Sequence, residues 1–262
     1  MRRRPHLLGR AALAALALGL MGMRYPPPHE IGHLVLDQRA RKAGVPGVGF
    51  DHYRHRASFT CRVCHVDVGF AMTLNESGIT AKTNQGGFHC GACHDGKRTH
   101  RGAPIFAACR EGRTVDGPGE CKRCHAREDA AKLKSEYERF ASRMPRNPHG
   151  AVDWEKAEAQ GRVKPADVLE GVSVPRPPMR MDRDIPIAAE ASWVADIIFS
   201  HRKHAVWNGC EVCHPDIFPA SRAGATKYTM FQISRGEYCG ACHDKVAFPI
   251  ADCEGCHKKP VR

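Results

Sequence analysis

Residues 50–65 read FDHYRHRASFTCRVCH, and residues 199–214 read FSHRKHAVWNGCEVCH. The two stretches share the frame F-x-H-x-x-H followed by C-x-x-C-H, 149 residues apart. Extending outward, the same shift aligns Phe50–Asp95 with Phe199–Asp244 without a gap. It superposes Phe50, His52 and His55 on Phe199, His201 and His204, and Cys90–Asp95 on Cys239–Asp244, both reading C-G-A-C-H-D. Thr80 coincides with Thr229, and Gly87 with Gly236. Each copy closes with a third C-x-x-C-H, at Cys121–His125 and Cys253–His257; the first copy carries a seventeen-residue insertion before it. The chain is a duplicated unit with three motifs per copy.

C-x-x-C-H is the attachment sequence of c-type haem. Two thiols three residues apart reach both vinyl groups of one porphyrin, and the adjacent histidine becomes the proximal iron ligand. A lone C-x-x-C would also suit zinc or thiol–disulfide exchange. Six instances, each with His in the same slot, leave those readings without support. The sequence predicts six covalent haems on the pairs Cys61/Cys64, Cys90/Cys93, Cys121/Cys124, Cys210/Cys213, Cys239/Cys242 and Cys253/Cys256, with His65, His94, His125, His214, His243 and His257 as proximal ligands. The thirteenth cysteine, Cys109, lies in the insertion; it reads as a buried thiol, with iron ligation or an interchain disulfide as alternatives.

Ten further histidines remain. His52, His55, His201 and His204 stand before the first motif of each copy at identical spacing, and repetition in register with the haem motifs marks them as sixth ligands.

This frame resembles the triheme cytochrome c7 family, the smaller relatives of cytochrome c3, over roughly 50–125 and 197–258. The resemblance implies that the first histidine of each pair serves the first haem and the second serves the next. Carried over, His52 pairs with His65, His55 with His94, His201 with His214, and His204 with His243. Some members place a methionine before the second motif for the third haem, which makes Met230 the candidate partner of His257, with a core side chain as the alternative. The equivalent residue in the first copy is Ala81, so the pattern breaks there. His100 and His89 lead the candidates for His125, with His29, His33 and His149 behind them.

Aromatic residues make up 7% of the chain, against 25 glycines and 18 prolines, too little side-chain bulk for a conventional core. The expected fold is mostly irregular with short α-helices: two small multihaem c7/c3-like domains wrapped around covalent haems and joined by a partly helical linker. The boundaries are a signal peptide or anchor over 1–24, an N-terminal segment over 25–47, domain 1 over 48–126, a linker over 127–196 and domain 2 over 197–262. In the linker, Arg127–Met144 places Leu133, Tyr137, Phe140, Ala141 and Met144 on one helical face that packs on a haem or a neighbouring domain, and Pro145 ends it. Asp153 caps a short helix through Gln160, and Pro165 opens another.

The net charge of +12 alone would suggest nucleic acid or an anionic membrane. Two propionates per haem, offset by one positive charge per ferric core, bring the oxidised holoprotein to roughly +6 and the reduced one near zero. The basic excess is thus a counter-charge for cofactors, and no nucleic-acid partner is expected. Arg2, Arg3, Arg4 and Arg10 precede the apolar run Ala11–Met23, the pattern of an export signal or uncleaved anchor. The expected function is periplasmic electron transfer between respiratory partners: a quinol-oxidising membrane complex and periplasmic or outer-membrane cytochromes. The resemblance adds anaerobic respiration, extending to extracellular metal. A reductase acting at an open His125 haem is the alternative.

Overall fold

The strand that precedes each histidine pair forms half of a two-stranded antiparallel ribbon, and the rest of each unit hangs from that ribbon. The computed structural model describes residues 25–109, 120–126, 129–177, 183–219 and 226–258; the leader read over 1–24 lies outside them. Strand β1 (His33–Leu36) is followed by helix α1 (Gln38–Lys42) and pairs with β2 (Val48–Asp51), in register from His33↔Asp51 to Leu36↔Val48. β2 runs directly into helix α2 (His52–Arg56), which carries the first histidine pair. Helix α3 (Ala81–Gln85) opens on a capping box in which Thr80 and Thr83 satisfy each other's backbone N–H. A two-residue hairpin, β3 (Thr99–His100) with β4 (Ala103–Pro104), follows the second motif.

The linker holds helices α4 (Ala130–Ala141) and α5 (Trp154–Ala159). Asp129 accepts hydrogen bonds from the backbone N–H of Ala131 and Lys132, and Asp153 from that of Lys156. The helix expected after Pro165 is absent. Ala166 instead runs extended beside Phe59, donating to Ser58 O and accepting from Thr60 N–H; this pairing uses the backbone groups a helix would need.

The second unit repeats the plan. β5 (Asp184–Ile187) pairs with β6 (Ile197–Ser200), from Asp184↔Ser200 to Ile187↔Ile197, and β6 runs into α6 (His201–Asn208). α7 (Met230–Ser234) opens on a Thr229–Gln232 capping box, and α8 (Cys253–Cys256) carries the last motif. Among the described residues, no helix is long and apolar enough to cross a membrane.

Apolar packing concentrates where linker and units meet. Tyr137 and Ala141 of α4 are buried against Tyr53 and Val152, with Phe140, Met144 and Trp154 alongside. Ala57, Ala157, Val163 and Trp207 form a second cluster that joins first unit, linker and second unit. Arg56 closes this junction, its guanidinium 4.6 Å from the Trp154 ring and 4.7 Å from the Trp207 ring, donating to Val246 O at 3.1 Å. Arg62, inside the first motif, is buried with Asp67 at 3.1 Å and Asp167 at 3.0 Å, and Asp67 also takes Arg176 at 2.9 Å.

The glycine of the repeated C-G-A-C-H has a packing cause in both units. A Cβ on Gly91 would stand 1.9 Å from Asn84 O, and one on Gly240 would stand 1.9 Å from Ile233 O. The motif's turn lies flat on the helix before it, and only a hydrogen fits between them.

Candidate cofactor-binding site

Each of the six motif histidines anchors one ring nitrogen on a backbone carbonyl. Nδ1 lies 3.0 Å from Phe70 O in His65, 3.2 Å from Phe106 O in His94 and 2.8 Å from Pro46 O in His125. In the second unit it lies 2.6 Å from Phe218 O in His214, 2.9 Å from Phe248 O in His243 and 2.5 Å from Ala195 O in His257. A carbonyl only accepts, so Nδ1 carries the proton and Nε2 keeps its lone pair for a metal. This outer-shell bond is what orients a metal-binding imidazole and raises its basicity.

The helical histidines show the same arrangement. His52 Nδ1 donates to Gly32 O at 2.8 Å, His55 Nδ1 to Asp51 O at 3.1 Å and His204 Nδ1 to Ser200 O at 2.8 Å. His201 differs: its Nδ1 is buried without a hydrogen-bond partner among the described residues. The phenylalanine of F-x-H-x-x-H holds both rings. Phe50 meets His52 edge-on at 4.8 Å and stacks on His55 at 4.3 Å; Phe199 does the same to His201 at 4.9 Å and His204 at 4.4 Å.

Two of the expected pairs come together in the first unit, one near parallel and one tilted. The His52 and His65 rings are 8° from parallel with centroids 6.5 Å apart, and the His55 and His94 centroids are 6.4 Å apart. Two metal–imidazole bonds of about 2 Å each, plus the ring radii, require roughly this separation. In the second unit, His204 lies close enough to His243 for their charges to interact. Burial lowers the pKa of His52 to about 4, and it also lowers those of His55, His65, His94, His204 and His243. All are thereby kept in the neutral form that a metal needs.

The attachment thiols form a continuous series. Cys124 interacts electrostatically with Cys90, Cys90 and Cys93 with Cys64, and Cys61 with Cys213 and Cys242 across the junction; Cys213 interacts with Cys239, and Cys239 with Cys256. Burial pushes Cys64 and Cys90 up to about 12 and Cys242 and Cys256 to about 11. No two of the thirteen cysteines are bonded to one another. Among the described residues, no three His, Cys, Asp or Glu side chains converge as a bare ion would require. The donor set therefore fits a porphyrin at each motif: a thiol pair, an oriented imidazole and, at two sites, a second imidazole across a metal-sized gap.

The remaining candidates are distributed differently. His100 Nε2 is 2.9 Å from Ser58 Oγ, with its ring beside Phe59, and His89 packs on Phe70 with its Nδ1 buried and unpartnered. His149 stacks on Tyr25, and His33 Nδ1 pairs with Asp51 Oδ1. None of these contacts is with His125. Met230, 43% exposed, starts α7, where its backbone N–H donates to Glu190. The side chain that does meet His125 is Cys109, by a hydrogen bond that raises the imidazole pKa and, with a bond from Asn84, lowers that of the thiol. Sequence reading singled out Cys109 but not its position; the absence of a methionine at Ala81 was the available signal.

The profile of a family described as cytochrome c7 and related cytochrome c matches residues 48–130 and 197–258. Among solved structures, a c7-type three-heme cytochrome domain is 39% identical over 31% of this chain and 95% of its own, with a TM-score of 0.26. The C-terminal hexaheme fragment of a dodecaheme cytochrome c is 22% identical, covering 90% of this chain and 99% of the fragment, with a TM-score of 0.27. Its N-terminal hexaheme fragment is 22% identical over 87% of this chain and 98% of the fragment, with a TM-score of 0.25. No curated protein matches the chain.

Proposed function

Because the chain belongs to the family of cytochrome c7 and related cytochromes c, we propose that it is a periplasmic electron carrier holding six haems, one on each C-x-x-C-H motif. Haem binding and electron transfer are the chemistry of the family. When bound, the haem supplies the redox couple. The chain's own part is to fix ligands, spacing and solvent access. The domains run over 48–126 and 197–262, with 127–196 as the wedge between them and 1–24 as the export signal or anchor.

The observation that carries this reading is the paired imidazole geometry. His52 with His65 and His55 with His94 each leave a metal-sized gap. The repeated frame extends this to His201 with His214 and His204 with His243, and Met230 completes His257. An iron held by both imidazoles of a pair would keep the same ligands in both oxidation states and would offer a substrate no position, which suits transfer rather than catalysis. The proximity of Cys61 to Cys213 and Cys242 supports a single route in which electrons cross between the units beside the first motif. Donor and acceptor are other redox proteins: a quinol-oxidising membrane complex on one side, and periplasmic or outer-membrane cytochromes leading toward extracellular metal on the other.

The test is the intact mass of the loaded protein together with its ferric and ferrous spectra. A mass above the mature polypeptide by six haems, with low-spin ferric bands, is expected. Fewer haems would break the one-motif, one-haem assignment. A predominantly high-spin spectrum would remove the carrier reading.

A further inference from the structure

The repeated frame supplies histidines for two sites in each unit and leaves the third to be completed from elsewhere. We propose that Cys109 is the sulfur ligand opposite His125, making the third site of the first unit a histidine–thiolate centre. The proposal rests on Cys121–His125 being a haem attachment motif.

Three observations converge on it. His125 commits Nδ1 to Pro46 O at 2.8 Å, so the nitrogen left to meet Cys109 is Nε2. The same nitrogen is left free in His65 and His94, whose ring centroids lie 6.5 and 6.4 Å from those of His52 and His55. The thiol thus meets the one ring nitrogen of His125 that is left to bind a metal.

The second observation is the difference between the copies. α3 and α7 are equivalent helices with equivalent capping boxes. Where α7 has Met230, α3 has Ala81, and where α7 has Ile233, α3 has Asn84. The Asn84 side-chain N–H points at Cys109 Sγ at 3.6 Å, while its Oδ1 is buried with no hydrogen-bond partner. The unit that lacks the methionine has a thiol at its third motif, and a polar side chain directed at the sulfur replaces an apolar one.

Third, the six motifs use twelve cysteines, so Cys109 is not needed for attachment, and it forms no disulfide. His89 and His100, the histidines favoured on sequence, pack on Phe70 and on Ser58 and Phe59, whereas the side chain bonded to His125 is Cys109.

With haem bound at Cys121–His125, Cys109 would hold the ferric iron as a thiolate, its proton lost to solvent and no electron transferred. A thiolate pushes electron density onto iron, whereas a thioether raises the potential. The His125 site is therefore the low-potential end of the series and the His257 site the high-potential end.

The deciding experiment compares the full haem-loaded protein with Cys109→Ala and Cys109→Met by low-temperature EPR, intact mass and potentiometric titration. The wild type is expected to show one thiolate-type low-spin signal among its six haems. Cys109→Ala loses it and gains one high-spin ferric signal that disappears on adding imidazole. Cys109→Met returns the site to low spin with its potential raised. Superimposable spectra for wild type and Cys109→Ala at full haem content would overturn the proposal alone. A wild-type mass short by one haem, mapped by digestion to Cys121–His125, would overturn the attachment reading and the proposal with it. If Cys109→Ala does not fold, the absence of a thiolate signal in the wild type is sufficient to overturn it.

Discussion

The His52 and His65 imidazoles are nearly parallel, 8° apart in plane, with centroids 6.5 Å apart, and each is tied through Nδ1 to a carbonyl. That separation is the one that two metal–imidazole bonds of about 2 Å each would require. His52→Ala should therefore convert one of the six haems from low to high spin and open it to carbon monoxide, leaving haem content unchanged. Difference spectra with and without carbon monoxide report this directly. A variant with wild-type spectra would remove His52 from the ligand set.

Burial holds the His52 pKa at about 4. In the unfolded chain the imidazole takes its proton near 6.5. Between those values the unfolded state binds more protons, so the unit loses stability as pH falls from about 6.5 to about 4, while above that window His52 has no effect. Denaturant unfolding measured across this range should show stability level above about pH 6.5 and falling between there and about pH 4. Stability that rises on acidification through this window would contradict this.

Arg56 sits between Trp154 and Trp207 and beside Cys61 and Cys242. Each cation–π contact is worth about 0.5–2 kcal/mol, so Arg56→Met should lower the unfolding free energy by about 1–3 kcal/mol. The same change removes a positive charge from the crossing between units, so the nearest haems become harder to reduce. A fall on the order of 60 mV, tenfold in the one-electron equilibrium, is expected. Arg56→Lys should recover more of the potential than of the stability, since the planar stack is lost. Redox titration beside thermal melts separates the two effects.

Asp67 is 3% exposed and accepts from both Arg62 and Arg176. Arg62 itself is 2% exposed, and its other carboxylate partner, Asp167, is 58% exposed. Asp67→Ala strands a buried guanidinium, a change that typically costs about 3–5 kcal/mol. Denaturant unfolding of the loaded protein measures it. A loss under about 1 kcal/mol would show that Asp167 alone meets the need of Arg62.

The sites were legible in sequence wherever the chemistry is carried by side chains at fixed spacing. The C-x-x-C-H motifs, the F-x-H-x-x-H frame and the Thr80 and Thr229 positions could all be found by self-comparison. Their backbone partners could not, because any residue has a carbonyl. Gly32 serves His52 from twenty residues away, and Ala195 serves His257 from sixty-two, without a compositional trace. The linker was read in part. The stripe through Tyr137 and Ala141 is there, packed on Tyr53 and Val152, and Asp153 caps its helix. The helix after Pro165 is not, since Phe59 claims that backbone by a long-range pairing that local propensity does not contain. Arg56 was hidden for the same reason: both tryptophans that hold it lie about a hundred or more residues away.

In each unit the last motif's histidine bridges the strand that leads into the histidine pair, His125 to Val48 in β2 and His257 to Ile197 in β6. A chain made from its N-terminus cannot complete that bridge until its third motif exists. Each unit thus stays open throughout the synthesis of its own attachment sites and closes only on the last of them. The bridge makes the closing of each unit wait on the last motif to be synthesised.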